Sequence, residues 1–301
     1  MQENIQDNQE NLSEAELFKR RVLEKKALQK RALEITCYVC GAGAFGVFFR
    51  WLQTMTAFDE NGLVDKSVFN LLVPLLIIGC VLLYDRFIKK MAEDRLYVPK
   101  EFCEALFNPG KIFTVIRWTA CGAMCVGALL LVVTTELDKN ADFLRVLAVL
   151  ALAAGVVYPL YMGEANYEEV EHLGIIRIYG VVPILRYAVW LVLSYKENMY
   201  NSVVWDYVLE MVTIIVVINA FFRMAGFAFM QVNGRKTLFY CMLGTTLCIM
   251  SLADSRYIGQ QLIIGATALM LAADNWILIT NLKRKEPQKR SEIRRDGFER
   301  L

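Results

Sequence analysis

Residues 112–134 read IFTVIRWTACGAMCVGALLLVVT. The stretch holds one charged side chain, Arg117, in 23 residues. Wound as an α-helix it is about 35 Å long at a rise of 1.5 Å per residue, enough to cross a hydrocarbon core about 30 Å thick. Polar and apolar residues do not alternate along it, as a strand of a membrane barrel would require. The stretch therefore reads as a membrane-spanning helix.

Seven further runs have the same character. The spans are expected at about 35–57, 69–88, 112–134, 143–163, 176–195, 204–224, 236–253 and 257–281. Turn signals separate several of them, namely Asn61-Gly62, Asn108-Pro109-Gly110 and Asn233-Gly234. The chain is 56% hydrophobic with a mean hydropathy of +0.38, and the excess is concentrated in these runs. The expected fold is an all-α polytopic membrane bundle of about eight transmembrane helices, built as four sequential hairpins. Three parts follow: a cytoplasmic tail and basic helix over 1–34, the transmembrane domain over 35–281, and a basic cytoplasmic tail over 282–301.

Charge placement sets the expected orientation. Of the 33 Lys and Arg, 25 fall on the side that holds both ends of the chain. Four (Lys66, Lys139, Lys196 and Arg256) fall in the opposite loops, and Arg50, Arg117, Arg145 and Arg186 fall within spans. Both termini are therefore expected in the cytoplasm. The polar first 34 residues leave no place for a cleavable signal peptide, so the first span is expected to direct its own insertion. Residues 1–12 are expected to be disordered, and Ser13 with Glu16 fits a capping box that opens a helix at Glu14. A short surface helix is expected within 89–111, with Phe102, Leu106 and Phe107 dipping into the interface. The basic tails suit anionic lipid headgroups; nucleic acid is not an expected partner.

Polar residues inside spans carry the functional reading. A charged residue at the centre of a membrane helix costs about 2.5–3.5 kcal/mol on insertion scales, so such groups face protein or water. Counted along each span, Arg186 lies near the midplane, and Arg50 and Glu210 lie about 6 Å to the outer side. Gln53 and Asp206 sit one turn further out on the same helices. These five are expected to converge on a cavity open to the outside. On the inner side, Asp274 lies about 7 Å and Arg117 about 9 Å below the midplane, with Asn275 and Asn219 nearby. The alternative is that Arg186–Glu210 and Arg117–Asp274 are ion pairs that lock helices together. Pro183, three residues before Arg186, either kinks its span to line a site or is simply tolerated.

Other motifs point to structure. Gly41-Ala42-Gly43-Ala44-Phe45-Gly46 matches G-x-G-x-x-G, but a basic helix precedes it in place of a strand, so nucleotide binding is not expected. Gly43 and Gly46 are expected to admit a neighbouring helix. Cys37-Tyr38-Val39-Cys40 and the pair Cys121 and Cys125 read as inert thiols. His172, the one histidine, lies in the acidic segment Glu164–Ile175. No cofactor, resident metal or catalytic residue is expected, and no Walker motif is present.

The segment Arg50-Trp51-Leu52-Gln53-Thr54-Met55-Thr56-Ala57-Phe58-Asp59-Glu60-Asn61-Gly62-Leu63 resembles a stretch of uncharacterised bacterial multi-pass membrane proteins. Weaker similarity surrounds Leu252-Ala253-Asp254 and Ala273-Asp274-Asn275. The resemblance implies a bacterial inner-membrane protein and no particular activity. The residues themselves favour a transporter or permease-like protein for a small solute, with the arginines suited to an anion. A non-transporting sensor or accessory subunit is the second reading, and an intramembrane lipid-modifying enzyme the third.

Overall fold

The structure is a computed structural model that describes residues 14–56, 68–108, 110–134, 141–167, 173–199, 204–254 and 256–284. Readings on residues 1–12, Ser13, the Asn61-Gly62 turn, the second half of the resembling segment, His172 and the tail from 285 onward lie outside the described residues.

The helices are α1 (Glu14–Thr56), α2 (Phe69–Glu93), α3 (Phe102–Leu106), α4 (Lys111–Thr134), α5 (Ala141–Glu164), α6 (Leu173–Asn198), α7 (Val204–Ala225), α8 (Gly234–Met250) and α9 (Ile258–Thr280). All but α3 are long and apolar enough to cross a bilayer, and each covers one expected span. The chain is a multi-pass, all-α membrane protein. Helices are what lipid demands, because only they satisfy every backbone donor and acceptor within a single spanning segment.

The helix α1 has 43 residues, about 65 Å at helical rise. The boundary expected at residue 34 falls inside it. No proline or glycine interrupts Glu14–Cys40, so the basic segment and the first span wind as one helix.

The six helices from α4 to α9 pack in sequence, α4 on α5 through to α8 on α9, and α9 closes the ring by packing on α4. Outside this ring, α1 lies against α8 and α9, and α2 lies against α1 and α8. The bundle is thus a closed six-helix ring with a two-helix flank. On α2 the large side chains Leu71, Leu75, Ile78 and Leu82 are exposed; their three- and four-residue spacing makes one stripe facing lipid.

Small residues allow the close contacts. A Cβ on Gly43 would sit 2.8 Å from Ile249, and one on Gly46 would sit 2.9 Å from the Met250 sulfur. The two glycines let α8 press against α1, as their spacing suggested. On the ring, a Cβ on Gly259 would lie 2.5 Å from the Gly127 carbonyl oxygen, so α4 and α9 meet backbone to backbone.

One end of the bundle, here the proximal end, is tied together by the segment after α2. Two short strands, β1 (Leu96–Tyr97) and β2 (Lys283–Arg284), pair antiparallel. Arg31 pairs with Asp94 at 2.8 Å, and Lys283 with Glu104 at 2.6 Å. The Asn281 side chain donates to the carbonyls of Ala105 at 2.9 Å and Phe107 at 2.8 Å. The short helix α3 begins at Phe102, later than Pro99 suggested. Phe102 and Leu106 are buried in the bundle, not dipped into the interface, because this segment folds back against α9; Phe107 alone is exposed.

Candidate functional site

The connection from α8 to α9 builds the opposite, distal end. A single 3-10 turn, Ser251–Ala253, stops α8 and drops Asp254 between the helices. Asp254 accepts from Arg50 Nε at 2.7 Å and from Arg256 Nη2 at 2.8 Å. Arg256 Nε lies 3.4 Å from Glu210 Oε2. Arg50 Nη1 also donates to Gln53 Oε1 at 2.8 Å, and Gln53 Nε2 donates to Asn70 Oδ1 at 2.9 Å. A continuous chain of charge therefore joins α1, the 254–256 connection and α7. Asp206 falls in α7, but its side chain lies outside the described residues.

Two members, Asp254 and Arg256, were not among the residues singled out from sequence. Arg256 counted there only as an outer-loop cation; its side chain is 7% exposed. The signal was local: an Asp-x-Arg pair in a turn too short to leave the bundle.

A small cavity lies inside the ring beneath this chain. Tyr187 and Trp190 of α6, Glu210 and Thr213 of α7, and Ser251 and Arg256 of the connection line it. Arg186 is fully buried beside it. Its guanidinium lies 4.1 Å from the Tyr187 ring centroid and 4.9 Å from that of Trp190. Among the described residues, none of its three guanidinium nitrogens has a hydrogen-bond partner. Cys248 also lines the cavity. The alternative Arg186–Glu210 ion pair is not formed; Arg256 holds Glu210. Helix α6 runs unbroken through Pro183, so the mid-membrane break that proline can introduce is absent.

Below Arg186 the ring is filled with aromatic side chains. Trp190 stacks on Tyr187 with centroids 5.8 Å apart, and Tyr187 on Phe221 at 5.8 Å. Phe221 meets Tyr158 edge-on at 5.1 Å, Tyr158 stacks on Tyr161 at 6.0 Å, and Tyr161 meets Phe102 at 5.2 Å. This column reaches from the cavity to the proximal cap. The hydroxyls are held as well: Tyr187 pairs with Thr267, and Tyr161 donates to the Met224 carbonyl at 2.7 Å.

The proximal residues form a separate cluster. Asp274 is 2% exposed and accepts a hydrogen bond from Tyr158. Arg117 faces it but makes no ion pair. Its donors instead reach the Phe113 carbonyl at 3.4 Å and Thr114 Oγ1 at 3.5 Å, both on its own helix. Its Nη1 has no partner. Asn275 donates to Thr245 at 3.5 Å while its Oδ1 is unpartnered, and Asn219 bonds its own helix at Ile215. Glu210 and Asp274 thus belong to different ends of the ring with the aromatic column between them.

Comparison of the chain with protein-family models, with curated proteins and with solved structures found no match.

The remaining candidates are structural. Three of the four arginines within spans, Arg50, Arg117 and Arg186, are buried. Arg145 is half-exposed near the start of α5 beside Asp142 at 3.3 Å, where a long side chain reaches headgroup depth. All eight cysteines are free thiols. Among the described residues, no group of three His, Cys, Asp or Glu is placed to hold a metal ion.

Proposed function

We propose that this chain is a permease-like membrane protein that takes a small anionic solute into the six-helix ring from the distal end and holds it at Arg186. One observation carries the reading: a fully buried guanidinium beside a cavity, with no acidic partner and no hydrogen bond among the described residues. Stacking on Tyr187 and Trp190 supplies about 2 kcal/mol when desolvated. An arginine at mid-membrane costs about 2.5–3.5 kcal/mol even on the lenient insertion scales. An anion supplies the missing counter-charge and accepts from the Arg186 guanidinium.

The lysine and arginine excess supports a cytoplasmic proximal end, with the cavity facing the outside. The segment from Arg50 to Leu63 resembles bacterial inner-membrane proteins, and that membrane is the proposed location. Where α1 leaves the bilayer, the basic residues next to its span meet anionic headgroups in this arrangement.

The test is thermal unfolding of the purified protein with chloride, nitrate, acetate and phosphate as probes, alongside Arg186→Gln. At least one anion stabilises the natural protein, and the same anion leaves Arg186→Gln unmoved. Equal stabilisation of both proteins ends the proposal. A second reading, a non-transporting sensor, draws on the aromatic column, which fills the ring between Arg186 and the proximal cap. Counterflow of the bound anion in liposomes separates the two: exchange supports a permease, and binding without exchange supports a sensor.

A further inference from the structure

We propose that Asp274, with Tyr158 as its donor, is a proton-binding site in the proximal half of the ring. Asp274 lies six residues before the end of α9, and Arg117 lies six residues after the start of α4. Both are therefore about 9 Å into the bundle from its proximal end. At this depth an ionised carboxylate must be matched by charge and hydrogen bonds, or it is held neutral by a proton. The match here is incomplete. Among the described residues, Tyr158 supplies the one hydrogen bond and no ion pair forms.

The groups that face Asp274 are few. Arg117 comes from α4, Tyr158 and Tyr161 from α5, and Cys241 from α8. Arg117 is the only cation among the described residues that face it, and its donors turn to Phe113 and Thr114 while Nη1 stays unpartnered. A carboxyl that exchanges a proton with the proximal side suits this layout. The protonated form needs no cation. The ionised form draws on the free Nη1 of Arg117. The step is simple proton binding: the carboxylate oxygen takes a proton from water, and Tyr158 keeps its own.

The site is connected to the distal cavity. Tyr158 touches Phe221, Phe221 touches Tyr187, and Tyr187 lies under Arg186. On α9, Thr267, which pairs with Tyr187, sits seven residues before Asp274 and so on nearly the same face. On the anion reading proposed above, a proton at Asp274 and a monoanion at Arg186 together add no net charge, which makes their joint movement electroneutral.

The experiment is infrared difference spectroscopy of the full chain in lipid nanodiscs across a pH series. The natural protein shows a carboxylic-acid C=O band that grows as pH falls. Asp274→Asn lacks that band, and Tyr158→Phe keeps it at a shifted frequency because the hydrogen bond is gone. Thermal unfolding over the same series reports whether each variant is folded. A band that persists unchanged in folded Asp274→Asn, or no titrating band in the natural protein, overturns the proposal. The four-anion stabilisation assay, run separately, decides the anion reading. A titrating Asp274 band in a protein that binds none of the four anions leaves the proton site standing and removes the anion site.

Discussion

Arg256 reaches Glu210 across the mouth of the cavity, Nε to Oε2 at 3.4 Å, and at the same time holds Asp254 at 2.8 Å. The acid that would have balanced Arg186 is thereby engaged elsewhere. Glu210 lies about 6 Å to the outer side of Arg186 by helical rise, and Arg256 holds it there.

Neutralising the rim changes anion binding in opposite directions. Glu210→Gln removes a repulsive charge and frees Arg256, so anion affinity rises. Arg256→Gln leaves Glu210 uncompensated, so affinity falls. A unit charge several ångströms away is worth about 1–2 kcal/mol at an effective dielectric near 20, or about tenfold in affinity. Titration calorimetry with the anion identified by the stability assay reads both.

The Arg50–Asp254 pair ties α1 to the ring through side chains only 3% and 8% exposed. Removing one partner of a buried pair strands the other charge and costs about 3–5 kcal/mol. Arg50→Gln and Asp254→Asn each lower the unfolding temperature. The double variant loses less than the sum of the two, which a double-mutant cycle in nanodiscs measures. Strict additivity would show that the pair does not couple the helices.

Gly259→Ala tests the backbone contact between α4 and α9. Its new methyl would stand 2.5 Å from the Gly127 carbonyl oxygen, so the helices must separate. Overpacking of this kind costs about 1–3 kcal/mol. Gly265→Ala, on the same helix with nothing within 4 Å of its Cβ position, is the control and leaves stability unchanged. Unfolding temperatures of the two variants make the comparison.

Orientation can be read from Cys103 in α3 at the proximal end. Burial, and then the neighbouring Glu101 carboxylate, push its thiol up. Only the thiolate alkylates, so labelling is slow at neutral pH and accelerates as pH rises. Glu101→Gln lowers the thiol and speeds labelling at a fixed pH. With the proximal end in the cytoplasm, a membrane-impermeant maleimide modifies the Cys103 peptide in inside-out vesicles and spares it in intact cells. Peptide mass spectrometry distinguishes Cys103 from the other thiols, and modification in intact cells would reverse the orientation.

Much of the architecture was legible one helix at a time. Runs such as 112–134 reveal a span by length and polarity alone, and Gly43 and Gly46 announced a close neighbour. The arginines were legible as inward-facing because hydrocarbon penalises the alternative. Their partners were not. Arg50 bonds a residue 204 positions away, and no periodicity within a helix encodes such a pairing. Phe102 and Leu106 pointed to the interface because their local pattern was amphipathic, while the strand pair at 96–97 and 283–284 folded them inward.

Hydropathy by itself determined that the chain crosses a membrane eight times and which of its charges must be shielded from lipid, since transfer energies act residue by residue. Only the packed bundle decided that α4 to α9 close into a ring, that Asp254 and Arg256 join the distal charge chain, and that Arg186 is left without a partner. Those outcomes depend on which helices are neighbours and how each is rotated, and both are settled by side-chain fit across contacts distant in the chain.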